Sequence, residues 1–314
     1  YKIGIDCGGT FTDLVAIDEA GRVQIEKTSS TPGDPSIAII NALDKLGIDL
    51  TDTDYFVHGS TVGINAVIQN KGAKTAIITT KGFRDILELR RGQRVLDKVE
   101  DMYNLQMDLP QDYVGGYSPL VERWARFEVA ERIDYRGNIT QPLSEDDVYR
   151  VAEQIKAEGF EAVAVCYYFA FVNAVHEQRT REILAEVLPD VPVSLSSEIL
   201  PVIREYERTS TTMINAYIMP IMQRYLTNLG GKLKQKGFGY DFFMMQSGGG
   251  IMSAALAAKR PVYTIDSGPA AGVTASSELG RGMGSPNIIA FDMVGTTANV
   301  CVITYNRPNV TNPF

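Results

Sequence analysis

Asp6, Gly8, Gly9, Thr10, Thr12 and Asp13 fall within eight residues, directly after the β-prone run Ile3-Gly4-Ile5. Each type has a use at a nucleotide triphosphate. Gly8 and Gly9 carry no Cβ, so the backbone can turn tightly and aim N–H groups at phosphate oxygens. Thr10 and Thr12 add hydroxyl donors. Asp6 and Asp13 suit a hydrated Mg²⁺, which takes oxygen ligands and keeps several waters. The alternative for this segment is an ordinary hairpin around a glycine turn.

A near-copy lies late in the chain, from Asn287 to Ile303. Aligned on the aspartates, Asp6 matches Asp292, Gly9 matches Gly295 and Thr10 matches Thr296, with Thr297 following. Val294 stands in place of Gly8, and Asn299 in place of Asp13. Two strand-Asp-Gly-Thr hairpins predict two related half-domains gripping one nucleotide. A side chain at 294 obstructs close approach to phosphate, and Asn299 lacks the charge that helps a cation. The second loop is therefore altered, or needs less of that geometry than the first. Asp6 and Asp292 each end an apolar strand, where an unpaired carboxylate is costly to bury. Phosphate-bound Mg²⁺ explains both, and so does side-chain capping of the turns.

Other segments carry chemistry-bearing types. Ser267-Gly268-Pro269-Ala-Ala-Gly272 enters a helical run, where free N–H groups and the positive dipole end suit an anion. Close helix packing through small residues is the alternative. Gln246-Ser247-Gly248-Gly249-Gly250 follows a strand, and either meets a ligand through its backbone or simply connects. His58 precedes a helix and is a candidate acid or base, although a lone histidine is more often structural. Arg204, Arg208, Thr212 and Asn215 recur at helical spacing. They form either a solvated face or, if buried, an arginine pair suited to carboxylate or phosphate.

Alternating strands and helices must position these residues. Residues 2–7 and 13–18 read as a hairpin and 22–29 as a third strand. A helix follows near 35–47, a strand at 55–57, a helix from about 60 and a strand at 73–79. The stretch 90–143 is rich in Gln, Asp, Tyr, Pro and Gly, and reads as an insertion or lid. Beyond it come a helix (144–158), a strand (161–166), a helix (174–187), a strand (191–196) and a long helix (201–235) interrupted at Pro220. The expected division is 1–89 with the first loop, 90–143 as insertion, 144–200 as a second α/β unit, and 201–314 with the second loop. The pattern is α/β.

Composition narrows the function classes. The 314 residues suffice for two cores. A net charge of −8 disfavours nonspecific nucleic-acid binding. Cys7, Cys166 and Cys301 are far apart and form neither a disulfide framework nor a zinc site. With only two histidines, no His-based metal cluster is available. No run of about 18 apolar residues is present, and the immediate start of the first strand carries no visible leader pattern, so no signal peptide is expected. A cytoplasmic setting without membrane association is expected.

The two loops resemble those of the actin, Hsp70 and sugar kinase superfamily, whose fold is ribonuclease H-like. Further motifs narrow the resemblance: His58-Gly-Ser-Thr-Val-Gly-Ile-Asn65, Thr79-Thr-Lys-Gly-Phe-Arg-Asp85, Arg204-Glu-Tyr-Glu-Arg208 through Tyr217, Gln246-Ser-Gly-Gly-Gly250 and Ser267-Gly-Pro-Ala-Ala-Gly272. In this order they resemble the hydantoinase A family, which includes ATP-dependent hydantoinases, 5-oxoprolinase and subunits of acetone and acetophenone carboxylases. The resemblance covers nearly the whole chain. It implies ATP and Mg²⁺ as cofactors and a hydantoinase B-like partner subunit in a hetero-oligomer. It implies phosphorylation of an enolate or amide oxygen, with Asp6, Asp292 and His58 as catalytic candidates. Asp6 and Asp292 would hold the metal. Gly8, Gly9, Thr10, Thr12, Asp13, Gly268, Gly295, Thr296 and Thr297 would bind nucleotide, and Arg204 and Arg208 substrate. The family's adenosine-contacting glycine segment is expected beyond Phe314. An acetophenone-type ketone carboxylase is favoured, with a hydantoinase or 5-oxoprolinase subunit second. A non-catalytic scaffold subunit and a sugar kinase are the other readings.

Overall fold

The computed structural model describes residues 1–31, 33–89, 119–294 and 297–309. The chain divides into two compact units, Tyr1–Ile68 with Met222–Phe314, and Gln69–Ile221. It begins in the first, passes through the second and returns.

Strands β1 (Lys2–Cys7), β2 (Phe11–Ile17) and β3 (Val23–Ser29) form an antiparallel meander. Period-two alternation sets their faces. Ile3, Ile5 and Cys7 of β1 and Thr12, Leu14 and Ala16 of β2 point into the core, while Lys2, Gly4 and Asp6 point to the opposite face. Helix α1 (Pro35–Leu46) starts where Asp34 accepts the Ser36 N–H, with Pro35 preset for the first turn, and stops at left-handed Gly47. It buries Ala38, Ile39, Ala42 and Leu43. Strand β4 (Tyr55–Ser60) joins β1 in parallel and leads to α2 (Val62–Ile68).

In the second unit β5 (Thr75–Thr80) is buried along its whole length, as a central parallel strand must be. After α3 (Ile86–Leu89) come β6 (Arg126–Val129), the short hairpin β7 (Arg132–Ile133) and β8 (Ile139–Gln141), α4 (Glu145–Ala157), β9 (Ala162–Cys166), α5 (Val175–Val187), β10 (Val193–Leu195) and α6 (Ser196–Ile199). The sheet runs β10-β9-β5-β6, all parallel. Residues 119–143 therefore correct the expected insertion. Val121, Ala125, Phe127, Val129 and Ile133 are core residues, and β6 completes the sheet. The remainder of that stretch, 90–118, lies outside the described residues. Because β5 pairs with β9, residues 69–89 group with 144–200 rather than with the start of the chain.

Helix α7 (Glu205–Gln235) continues through Pro220, where only one backbone donor is lost. The expected interruption is absent. Its second half sends Met222, Tyr225, Leu226, Leu229 and Leu233 into the first unit's core with Ile5, Leu14 and Phe56. Strands β11 (Phe243–Met245) and β12 (Ile251–Ser253) complete the sheet β12-β11-β4-β1-β2-β3, with β11 parallel to β4. Helices α8 (Ala254–Lys259) and α9 (Ser267–Gly282) precede the antiparallel strands β13 (Ile288–Val294), β14 (Thr297–Thr304) and β15 (Arg307–Pro308). Among the described residues, no helix is long and apolar enough to cross a membrane.

Candidate functional site

Asp6 occupies the β1 face turned away from the core, opposite Asp13 across the hairpin and beside Gly59 of β4. Two glycines shape its surroundings. A Cβ on Gly59 would lie 3.1 Å from Asp6 Oδ1, and one on Gly268 would lie 3.5 and 3.8 Å from its two oxygens. The carboxyl group thus rests over β4 at the first turn of α9. That turn has no side-chain cap, because Asp266 at the N-cap is left-handed (φ 57°). Partial desolvation holds the Asp6 carboxyl above its ordinary range, and the charges of Asp13 and Asp292 add to this. Lys27, paired with Asp13 at 2.8 Å, offsets part of it.

The second hairpin repeats the register of the first. Asp292 faces Asn299 as Asp6 faces Asp13, seven positions on in each case. Asp292 is exposed. Gly295 and Thr296 lie outside the described residues, as does the side chain of Thr297. Among the described residues, no group of three or more His, Cys, Asp or Glu could hold a metal ion by itself.

The first loop is tightly organised. The Gly8 N–H donates to Phe11 O at 3.0 Å, so it closes the turn rather than facing a ligand. Neither Gly8 nor Gly9 adopts a positive φ. Gly8 is needed for close approach, since a Cβ there would sit 3.2 Å from Phe11 O. Ser30 braces the loop by donating its Oγ–H to Gly8 O and its N–H to Thr10 O. Thr10 is exposed at the tip.

Three expected site residues point elsewhere. Thr12 is fully buried, its hydroxyl between Cys7 Sγ (3.3 Å) and Ser30 Oγ (3.0 Å), because it shares parity with Leu14 and Ala16. It braces the hairpin and does not face the loop. His58 is 0 % exposed, with Nε2 against Tyr225 OH and Nδ1 against Ile5 O. Burial lowers its pKa to about 4, so it packs as a neutral ring without access to a reacting group in this unit. Arg208, in the second unit, is 1 % exposed and donates to Ser196 Oγ and Tyr167 O. Thr212 and Asn215 are buried with it, so this stripe of α7 is not a solvated face. Arg204 is exposed, precedes α7 and has φ 83°, outside the helical stripe.

Gly59, Lys27 and Ser30 escaped the sequence reading. The available signal was Gly59 itself, since glycine inside a strand marks a bulge or a close approach.

Residues 2–188 match the family described as the hydantoinase/oxoprolinase N-terminal region, and residues 208–313 match hydantoinase/oxoprolinase. The chain belongs to the hydantoinase/oxoprolinase family. This hydantoinase/oxoprolinase chain is 40 % identical over its full length to an uncharacterised protein of Methanocaldococcus jannaschii, of which it covers 45 %. It is 34 % identical to the caprolactamase α subunit of Pseudomonas jessenii, matching over 98 % of itself and 44 % of that protein. It is 33 % identical to the acetophenone carboxylase γ subunit of Aromatoleum aromaticum, over 96 % and 42 %. Among solved structures, the ATP-dependent caprolactamase from Pseudomonas jessenii superposes with a TM-score of 0.84 at 34 % identity, over 96 % of this chain and 43 % of that one. The chain thus spans less than half the length of these relatives. The relatives named for an activity are enzymes, or subunits of enzymes.

Proposed function

We propose that the first unit binds the phosphates of ATP with Mg²⁺, as the activating part of an enzyme that phosphorylates a carbonyl-type oxygen of a small substrate. The observation that carries this reading is the gathering of Asp6, Asp13 and Asp292 on two hairpins of matching register. Like charges that raise one carboxyl's pKa are relieved by a divalent cation. Since no described cluster holds a metal alone, Asp6 and Asp292 would hold Mg²⁺ through water, with phosphate oxygens completing its shell. Gly9, Thr10, Asp13, Gly295, Thr296 and Thr297 would line the loops, and the bare N-terminal turn at Gly268 would face an anion. The strand order β3-β2-β1-β4-β11 supports the ribonuclease H-like core of the actin, Hsp70 and sugar kinase superfamily.

This chain's groups position and neutralise charge, which is most of what phosphoryl transfer asks of a protein. Phosphorylating an enolate oxygen prepares a ketone for carboxylation, and phosphorylating an amide oxygen prepares a ring for hydrolysis. The two relatives named for these activities match almost equally well, and we keep the ketone carboxylase reading ahead of the cyclic amide one. A hydantoinase B-like partner in a hetero-oligomer would carry the later chemistry, in the cytoplasm.

Calorimetric titration of MgATP into the chain, alone and with co-purified partners, tests the reading. Binding should be lost in Asp6→Asn. The same variant should melt higher than the parent without ligand at neutral pH. A carboxyl whose pKa is raised by folding stabilises the fold only when protonated, and that contribution disappears as pH rises through its folded pKa. Absence of MgATP binding in both settings would overturn the proposal and leave a scaffold subunit as the better account.

A further inference from the structure

The second unit carries a separate constellation. From β5 the chain steps to β6 on one side, then returns to β9 on the other and continues to β10. β5 and β9 therefore flank a topological switch point, the place at which open α/β sheets hold their ligands. Phe83 follows β5 and Tyr168 follows β9, and their rings lie 4.2 Å apart. Arg132, which opens β7 after β6, places its guanidinium 4.8 Å from the Phe83 ring and 4.7 Å from that of Tyr168. Phe169 extends the aromatic row, 5.3 Å from Tyr168 and 5.8 Å from Phe171. Phe169 has φ 56°, a strained conformation for a bulky side chain of the kind that gathers at binding sites.

The charge arrangement is uneven. Arg132 is half-buried, and no ion pair joins it to a carboxylate among the described residues. Ring contact fixes its plane and leaves the edge donors of its fork. At the far end of the row Arg208 lies 5.2 Å over Phe171, and its buried Nε has no hydrogen-bond partner among the described residues. Glu205, 3.7 Å from Arg208, adds one negative charge nearby.

We propose that this switch-point cluster binds the carboxylate of a small organic acid with an apolar body. The Arg132 fork takes the two oxygens in bidentate fashion, and the row Tyr168–Phe169–Phe171 takes the hydrocarbon part. One unpaired guanidinium beside aromatic faces and Glu205 favours a monoanion over hydrated phosphate dianion. The site lies wholly in the second unit and does not rest on the nucleotide reading of the first.

The test is calorimetric titration of benzoate, acetate and inorganic phosphate into the full chain, with melting curves of each variant. Benzoate is expected to saturate one site and bind more tightly than acetate, with phosphate failing to compete. Arg132→Gln should weaken benzoate binding by about tenfold or more, the loss of one charge-assisted pair. Arg132→Lys keeps the charge but not the fork and should recover only part of the affinity. Tyr168→Ala removes the ring that Arg132 rests on and should weaken benzoate more than acetate. Failure of benzoate to saturate, equal competition by phosphate, or full affinity in Arg132→Gln or Arg132→Lys at an unchanged melting temperature overturns the proposal.

Discussion

Gly59→Ala isolates the position of the Asp6 carboxyl from its chemistry. The new Cβ would stand 3.1 Å from Asp6 Oδ1, where ordinary contact begins near 3.4 Å, so the carboxyl must give way by a few tenths of an ångström. Alanine gains about 0.5–1 kcal/mol over glycine inside a strand, which offsets that crowding. The melting temperature should therefore stay within about 3 °C of the parent. Catalytic geometry is less tolerant. A displacement of ~1 Å costs about a hundredfold in rate, so ~0.3 Å corresponds to about a fourfold loss. On the proposed reading, the assay is ATP turnover of the chain with its co-purified partners, with Asp6→Asn expected to be inactive. Parental turnover in a normally folded Gly59→Ala would refute the claim that β4 sets the Asp6 position. A loss of more than about 2 kcal/mol of stability would refute the packing argument.

His58 gives an acid-side signature. Its pKa is lowered to about 4 by burial, so the stability of its neutral form is full above its ordinary 6.5 and is lost as pH falls toward 4. The loss amounts to about 3 kcal/mol. Urea titrations at neutral and mildly acid pH should show this slope flattened in His58→Gln. Arg208→Met should destabilise the second unit by about 3–5 kcal/mol, since it strips a buried charge from the neighbourhood of fully buried Glu177 and takes the guanidinium donors from Ser196 Oγ and Tyr167 O. Chemical denaturation would reveal this, and an unchanged midpoint would count against a structural role.

The hairpins of the candidate site were legible in the sequence where the signal is local. The Asp6–Asp13 and Asp292–Asn299 pairings follow from period-two strands around short loops, and the register bears out the alignment of the two hairpins. Thr12 could also have been placed correctly, because its parity with Leu14 and Ala16 sends it inward. Its hydroxyl drew attention that its position does not support. Arg126-Phe-Glu-Val129 alternates as a strand should, yet the polar, Pro- and Gly-rich residues before it masked that pattern. Spacing placed Arg208, Thr212 and Asn215 on one stripe of α7 but wrongly added Arg204, which precedes the helix, and spacing does not say which side of a helix is covered. The meeting of Phe83, Arg132 and Tyr168 was not legible at all, because it depends on a sheet order that no local pattern encodes.

The threading of the chain has a consequence for its biogenesis. The second unit is continuous, Gln69–Ile221, whereas the first needs β11 to reach β4 and α9 to reach Asp6. During synthesis every residue of the second unit has emerged before the first unit's sheet can be completed. β1 to β4 must then wait as a partial sheet with β4 open along one edge. Closing that gap spans long sequence separations, which slows folding. The nascent chain is thus most exposed to aggregation while β1 to β4, including the strand that carries Asp6, await the later-made β11 and α9.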